Sequence, residues 1–432
     1  MSKLSSLVED FSTKPVPGAQ TVSATRVALI IIGISIALPA FVGGAQLGTA
    51  LGFERAVLAF TVGGLILSVV ASLTALVGAQ TRLSTYMIVQ FAFGTGGARL
   101  VNAIFAGTMI GWFGVNAALF GDAMVATVNQ MYGEPGVWPL YVAGGSALMV
   151  LTTVFGFKSL DRLSRMAVPL LLVILIAIMG FALSHGESAN LFAARTPTMS
   201  VGLGISAVAG GSMVGAACMP DMTRYVSSRR GAVGSMFVSY GIGAPIILLS
   251  ATIPSLVTGE IDFMKILLGL GLGLPALFVL VFATWTSNAA NVYGAGLSLA
   301  ASFRNVRSWQ LTLIAGALGT GVALSGIIEL FMPFLIGLGV LMTPVAAIYV
   351  TDFFLVVHGK YDVATLERGP SIRWPGFAAW AIGSCTGLLT ASQHLTLTLI
   401  PALDALLLAG VVYYGLMRWR APHRAAECGS SS

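Results

Sequence analysis

Long apolar runs, separated by short polar or glycine- and proline-marked segments, recur along almost the whole chain. A helix needs about 20 apolar residues to cross the hydrocarbon core of a bilayer. Runs of that kind fall at 27–50, 56–80, 98–127, 136–156, 166–184 and 199–218, then at 231–257, 273–301, 310–327, 328–350, 375–391 and 396–417. The pattern predicts an all-α polytopic membrane protein of about twelve spans. Its weakest division lies between the ninth and tenth, where only Gly326 and Glu329 interrupt the run. The polar remainder is a tail at 1–26, a loop at 351–374 and a tail at 418–432, leaving a ten-helix block (27–350) and an accessory pair (375–417). The first tail, with Lys3, Glu9, Asp10 and Lys14, does not read as a cleavable signal peptide. The last residues, Cys428 to Ser432, read as an unstructured end.

Two spans carry interruptions. In the first, Pro39 removes a backbone donor and Gly43 and Gly44 follow; in the sixth, Gly210, Gly211 and Gly215 precede Pro220. The spacing recurs as Gly43-Gly44…Leu47-Gly48 and Gly210-Gly211…Val214-Gly215. A single glycine pair marks a helix-packing contact as readily as a break. Its recurrence five spans later favours broken helices. Matched breaks in spans one and six predict a five-plus-five inverted repeat, whose unwound backbone lines a site near the membrane midplane.

Composition adds exclusions. Only 9% of residues are charged and 56% are hydrophobic, against about 25% charged in a soluble domain, so a water-soluble globule and a disordered chain are excluded. The formal charge of +6 invites a nucleic-acid reading, but its distribution explains it otherwise. With twelve spans and the amino terminus inside, 19 of the 22 Lys and Arg residues fall on one side, and only Arg55, Arg195 and Lys265 on the other. That asymmetry predicts two cytoplasmic termini and no nucleic-acid partner. The glycine content, 52 residues, suits membrane helices. Cys218, Cys385 and Cys428 form no CxxC pair, the four histidines form no metal constellation, and no HExxH motif, Ser/His/Asp set or carboxylate pair marks an enzyme.

The few polar residues within the spans gather on two of them. Trp112 and Asn116 are four apart on span three and share a helix face. An indole to stack on and an amide that both donates and accepts suit a small planar heterocycle. Separately they would be an interface aromatic and interhelical glue. Span eight carries Thr284-Trp285-Thr286-Ser287-Asn288, then Asn291. The adjacent hydroxyls of Thr286 and Ser287 suit a weakly held monovalent cation such as Na+, although each alone would bond its own helix. Asn288 and Asn291 project toward a bound ligand. Asp122, Glu329 and Asp404 are suspect as ionisable groups within spans. Asp221, just before Arg224, suggests an ion pair or gate at the membrane edge.

Four stretches together resemble the nucleobase:cation symporter-1 family, and most closely its bacterial cytosine permease-like branch. They are Gly43-Gly44…Leu47-Gly48-Thr49, Gly111-Trp112-Phe113-Gly114-Val115, Pro220-Asp221-Met222-Thr223-Arg224-Tyr225 and Trp285-Thr286-Ser287-Asn288. The resemblance implies the leucine-transporter-like fold in a bacterial inner membrane, and cation-coupled uptake of cytosine or a related base. Carried over by position, Trp112 stacks on the ring, Asn116 bonds its edge, and Asn288, with Asn291 beside it, reads its polar groups. The cation site, for Na+ with H+ as the alternative, falls on Thr286 and Ser287 with the carbonyls of Gly33, Ile36 and Ala283. Ala37 stands where hydantoin-transporting relatives carry glutamine. One departure follows: where the family places an aromatic residue on span six, this chain has Ser212, flanked by Gly211 and Met213. Either Met213 makes a softer contact, or the ligand is bulkier, such as a hydantoin, allantoin or a vitamin-precursor heterocycle. A non-transporting membrane sensor is the rival of a different class. A monomer is sufficient for this architecture.

Overall fold

A computed structural model describes residues 15–429, apart from 135, 155–156, 186–187, 194–195, 262, 270, 272, 304, 393 and 396. Most of the first tail, with Lys3 and Lys14, lies outside the described residues, as do Arg195 and Arg304. The described chain is helical, and its one β-contact is the isolated bridge between Val22 and Val226.

Span one is two helices, α1 (Ala24–Ser35) and α2 (Leu38–Leu51), bent 66° to one another. Span two is α3 (Phe53–Thr81), followed by the short α4 (Thr85–Phe93), and span three is α5 (Gly97–Tyr132). Spans four and five are α6 (Trp138–Thr153) and α7 (Phe157–His185). Span six is α8 (Val201–Ala217) with the one-turn α9 (Pro220–Thr223). Span seven joins α10 (Arg229–Met236) through a π-helical stretch, Phe237–Gly243, to α11 (Ala244–Thr258). The short α12 (Phe263–Gly269) precedes span eight, α13 (Gly273–Ser302). Spans nine and ten are α14 (Ser308–Leu324) and α15 (Phe331–Thr351), the latter prolonged by a π-turn to Val356. The loop holds α16 (Ala364–Arg368), and the accessory pair is α17 (Trp374–Ala391) and α18 (Pro401–Gly429). Every expected span thus coincides with a straight or broken helix. Five stretches among the described residues, six with the bent pair, are long and apolar enough to cross a membrane by themselves.

Packing displays the inverted repeat. Exchanging spans 1–5 for 6–10 turns the α2–α11 contact (one on seven) into α8–α3 (six on two), and both are extensive. The α1–α7 contact (one on five) becomes α8–α15 (six on ten), and α5–α14 (three on nine) becomes α13–α6 (eight on four). Spans three and eight pack on each other, as a pseudo-two-fold axis requires. Even the short helices correspond: α4 sits between spans two and three, α12 between seven and eight. This is the five-plus-five arrangement, with α17 and α18 packed outside it against α15.

Both expected breaks are present, but at different residues. In span one the helix stops at Ile36, whose N–H bonds back to Ile32, and resumes after the extended Ala37 (φ −144°, ψ 154°). Pro39 occupies the first turn of α2, where its missing N–H costs nothing. In span six the break falls at Cys218 and Met219, directly before Pro220. The glycine pairs are helical. Gly44 and Gly48 serve close packing: a Cβ at Gly44 would lie 2.5 Å from the Leu248 carbonyl, and one at Gly48 2.5 Å from the Thr252 methyl. The shared marker of the breaks is therefore the proline, and the shared glycine spacing belongs to helix contacts.

Candidate functional site

A cavity of about 510 Å³ lies between both breaks and spans three and eight. Its wall includes Ala37 and Gly43 from span one, Gly211 and Ser212 from α8, and Ser287 and Asn291 from α13. From α5 come Trp112 and Asn116. The Asn116 side chain is 2% exposed; its Nδ2 donates to the Trp112 carbonyl at 2.9 Å, while its Oδ1 is buried with no donor from the protein. A buried acceptor without a partner is costly, and this one lies beside an indole on the cavity wall.

Across the cavity the wall is small. A Cβ built on Gly43 or Gly211 meets nothing within 4 Å, and Ser212 lines the space. Met213 does not. It is fully buried in the core among Ala209, Ala216 and Ala217, because successive helical residues point about 100° apart. The softer ring contact expected of it is not made here.

The two asparagines of span eight divide their work. Asn288 is fully buried and absent from the cavity wall; its Nδ2 donates to the Phe113 carbonyl (3.2 Å) and lies 3.6 Å from the Met149 sulfur. Its Oδ1 accepts Asn291 Nδ2 at 3.2 Å. Asn291 meets the cavity, and Asn288 fixes its orientation.

Thr286 faces the other way, toward the break in span one. Its hydroxyl lies 2.8 Å from the Gly33 carbonyl, 3.0 Å from that of Ala283 and 3.0 Å from that of Phe282. Gly33 belongs to the last turn of α1, where carbonyls lose their intrahelical donors. Hydroxyl and carbonyl oxygens thus converge where spans one and eight meet, with Ile36 buried at the break itself. Ser287 points instead into the cavity. Among the described residues no cluster of three His, Cys, Asp or Glu side chains is arranged for a metal ion. This donor set, hard oxygens with no fixed charge, fits an alkali cation.

The suspect acids lie off the cavity wall, Asp221 excepted. Asp122 accepts the Trp138 indole N–H at 2.8 Å and joins α5 to α6. Glu329 is exposed in the turn between α14 and α15. Asp404 is buried and accepts from Thr390, from the backbone and hydroxyl of Thr398 and from the Leu397 N–H, closing the α17–α18 connection. Asp221 does line the cavity and accepts the Thr85 N–H at 2.7 Å, capping α4. Arg224 is fully buried, with its guanidinium on the hydroxyls of Tyr225 and Tyr293, so it ties span six to span eight. The patterning also missed Gln46 and Ser298, both on the wall; they are isolated polar residues without a motif around them.

Paired breaks facing a shared cavity, in an inverted repeat of apolar helices, define a membrane transporter of the leucine-transporter-like architecture. The fold superposes on Mhp1, a nucleobase-cation-symport-1 family transporter, in a closed conformation with bromovinylhydantoin bound (TM-score 0.81, 20% identity, 96% of each chain). It also matches a Na+-coupled sialic acid symporter (TM-score 0.70, 12% identity, 97% and 96% of the chains). In sequence it is 27% identical over 384 residues to the cytosine permease of Escherichia coli strain K12, covering 88% of each. It is 21% identical over 443 residues to the hydantoin permease of Microbacterium maritypicum, covering 93% of this chain and 86% of that one. The model of the family of permeases for cytosine/purines, uracil, thiamine and allantoin matches residues 15–412. The chain belongs to that family, and it is a permease and not an enzyme.

Proposed function

We propose that the protein imports a small flat heterocycle bearing ring N–H donors, a nucleobase or hydantoin, by symport with Na+. The observation that carries this reading is Asn116 beside Trp112 on the cavity wall, with a side-chain oxygen that has no donor from the protein and would turn to the cavity to meet a ligand. Trp112 provides the stacking face, Asn116 accepts a ring N–H, and Asn291, held by Asn288, meets the opposite polar edge. Relatives named for cytosine and for hydantoin support such a ring. The small wall at Gly211 and Ser212 leaves room for a substituent, which keeps hydantoin-like rings alongside cytosine.

Na+ would be held by the Gly33, Ile36 and Ala283 carbonyls and the Thr286 hydroxyl, with Ser287 swinging in from the cavity side. The hydroxyl now lying on the Gly33 carbonyl would then turn a lone pair to the ion. A cation there bridges the broken helix to span eight and favours the form of the break that completes the substrate site. Coupling is then the reciprocal free energy between the two sites. A proton would need a titrating group, and the carboxylate on the cavity wall, Asp221, is already engaged in capping α4. The inner membrane, two cytoplasmic termini and a monomer complete the reading.

A thermal-shift panel of nucleobases, hydantoins, allantoin and vitamin-precursor rings, run in Na+ and in K+, tests it. A ligand at 100 times its Kd stabilises by about 2.7 kcal/mol. At least one ring is expected to raise the melting temperature, and more in Na+ than in K+. Absence of any shift across the panel would refute the substrate class.

A further inference from the structure

The core does not need the accessory pair α17–α18 to form its cavity, yet a chain of contacts runs from α18 to the break in span six. That break exposes the last carbonyls of α8. The Ala216 carbonyl is taken by the Thr74 hydroxyl at 2.7 Å, and the Ala217 carbonyl by the Tyr349 hydroxyl of α15, also at 2.7 Å. Three residues on, and therefore on the same face of span ten, fully buried Asp352 accepts two phenols at 2.7 Å: Tyr413 of α18 on Oδ1 and Tyr361 of the 357–373 loop on Oδ2. Burial, and then the Asp352 carboxylate, push the Tyr361 phenol well up, so it stays a donor. The Tyr361 ring stacks on Phe91 of α4, with centroids 3.9 Å apart and planes within 6°. The same loop accepts the Gly96 and Gly97 N–H groups on the Ser371 carbonyl. At its other end α4 is capped by Asp221, beyond the break. The contacts therefore close around the break.

We propose that Tyr349 and Asp352 are positioning residues through which the accessory pair and the 357–373 loop set how far the break in span six opens to the cavity. Without the Tyr349 hydroxyl the Ala217 carbonyl loses its partner, and the break samples open forms more often. The inference does not depend on which ligand is carried.

Cys218 is a native reporter, since it forms the break and lines the cavity. In a C385S/C428S background, the rate of Cys218 alkylation by N-ethylmaleimide is measured on the purified, ligand-free protein for Tyr349→Phe and Tyr361→Phe. Gel-filtration elution checks folding. Loss of the neutral Tyr349 hydrogen bond corresponds to about a two- to tenfold rise in alkylation rate, and a rise in the same direction is expected in Tyr361→Phe, which loses its bond to the Asp352 carboxylate. A structural role alone would lower the melting temperature and leave this rate at the parental value. Tyr361→Phe, on the loop, carries the test if Tyr349→Phe fails to fold. Parental alkylation rates in whichever variants elute as the parent would overturn the proposal.

Discussion

Replacing Asn116 by leucine moves stability and binding in opposite directions, which few site residues would do. In the ligand-free protein the Asn116 Oδ1 is sealed from solvent and receives no donor from the protein, a defect that costs about 1–3 kcal/mol. Leucine has the same number of side-chain heavy atoms in the same branched shape and removes it. What is lost is the Nδ2 bond to the Trp112 carbonyl, about 0.5–1.5 kcal/mol, and that carbonyl lies within α5, where a helical N–H can satisfy it. The variant should therefore be as stable as the parent, or more stable by about 1 kcal/mol, the difference of those terms. Binding should suffer. A ligand N–H that leaves water and finds leucine forfeits about 1–3 kcal/mol, which raises Kd roughly five- to 150-fold. Ligand-free melting in detergent and equilibrium binding of the best ring from the panel measure the two effects. A destabilised variant with unchanged Kd would show that Asn116 is interhelical glue, and the reasoning about the cavity would fall.

Other substitutions probe separate links. Thr286→Ala with Ser287→Ala should abolish the Na+ stimulation of binding in a protein that elutes normally; full Na+ dependence in that double variant would displace the cation site. Gly44→Ala places a Cβ 2.5 Å from the Leu248 carbonyl and should cost about 1–3 kcal/mol through overpacking between α2 and α11. Gly43→Ala, with nothing within 4 Å, should melt as the parent does, and equal melting of the two would refute the packing argument. Asp404→Asn removes an acceptor shared by the Leu397, Thr398 and Thr390 donors and should lower the melting temperature while leaving the substrate Kd unchanged; a weakened Kd would bring this acid into the transport site.

Hydrophobic periodicity makes the spans legible because bilayer thickness imposes their length, and the break in span one is legible because proline dictates local backbone. The exact break points were not. Gly-Gly in a membrane helix serves a hinge or a close contact equally well, and only the neighbour decides: Leu248 and Thr252 against Gly44 and Gly48, open cavity against Gly43 and Gly211. Trp112 and Asn116, paired by helical phase, and Ser212 and Asn291, singled out by resemblance, all line the cavity, and so does Ser287, expected at the cation site. Met213 was misjudged by one residue of that phase. Asn288, expected to read the ligand, is held off the cavity and steers Asn291 from behind, a role that depends on Phe113 and Met149, which are distant in sequence. The Tyr349–Asp352–Tyr361 cluster was invisible for the same reason: Ala217 lies 132 residues from Tyr349, and Phe91 farther still from Tyr361.

The central claim is that ring and cation move together, and uptake into proteoliposomes tests it most directly. With the radiolabelled ring selected by the panel outside, an inward Na+ gradient should drive accumulation above equilibrium in the parent, and the Thr286→Ala, Ser287→Ala variant should only equilibrate it. Accumulation that is the same with and without the Na+ gradient, or that survives intact in that variant, would contradict the account.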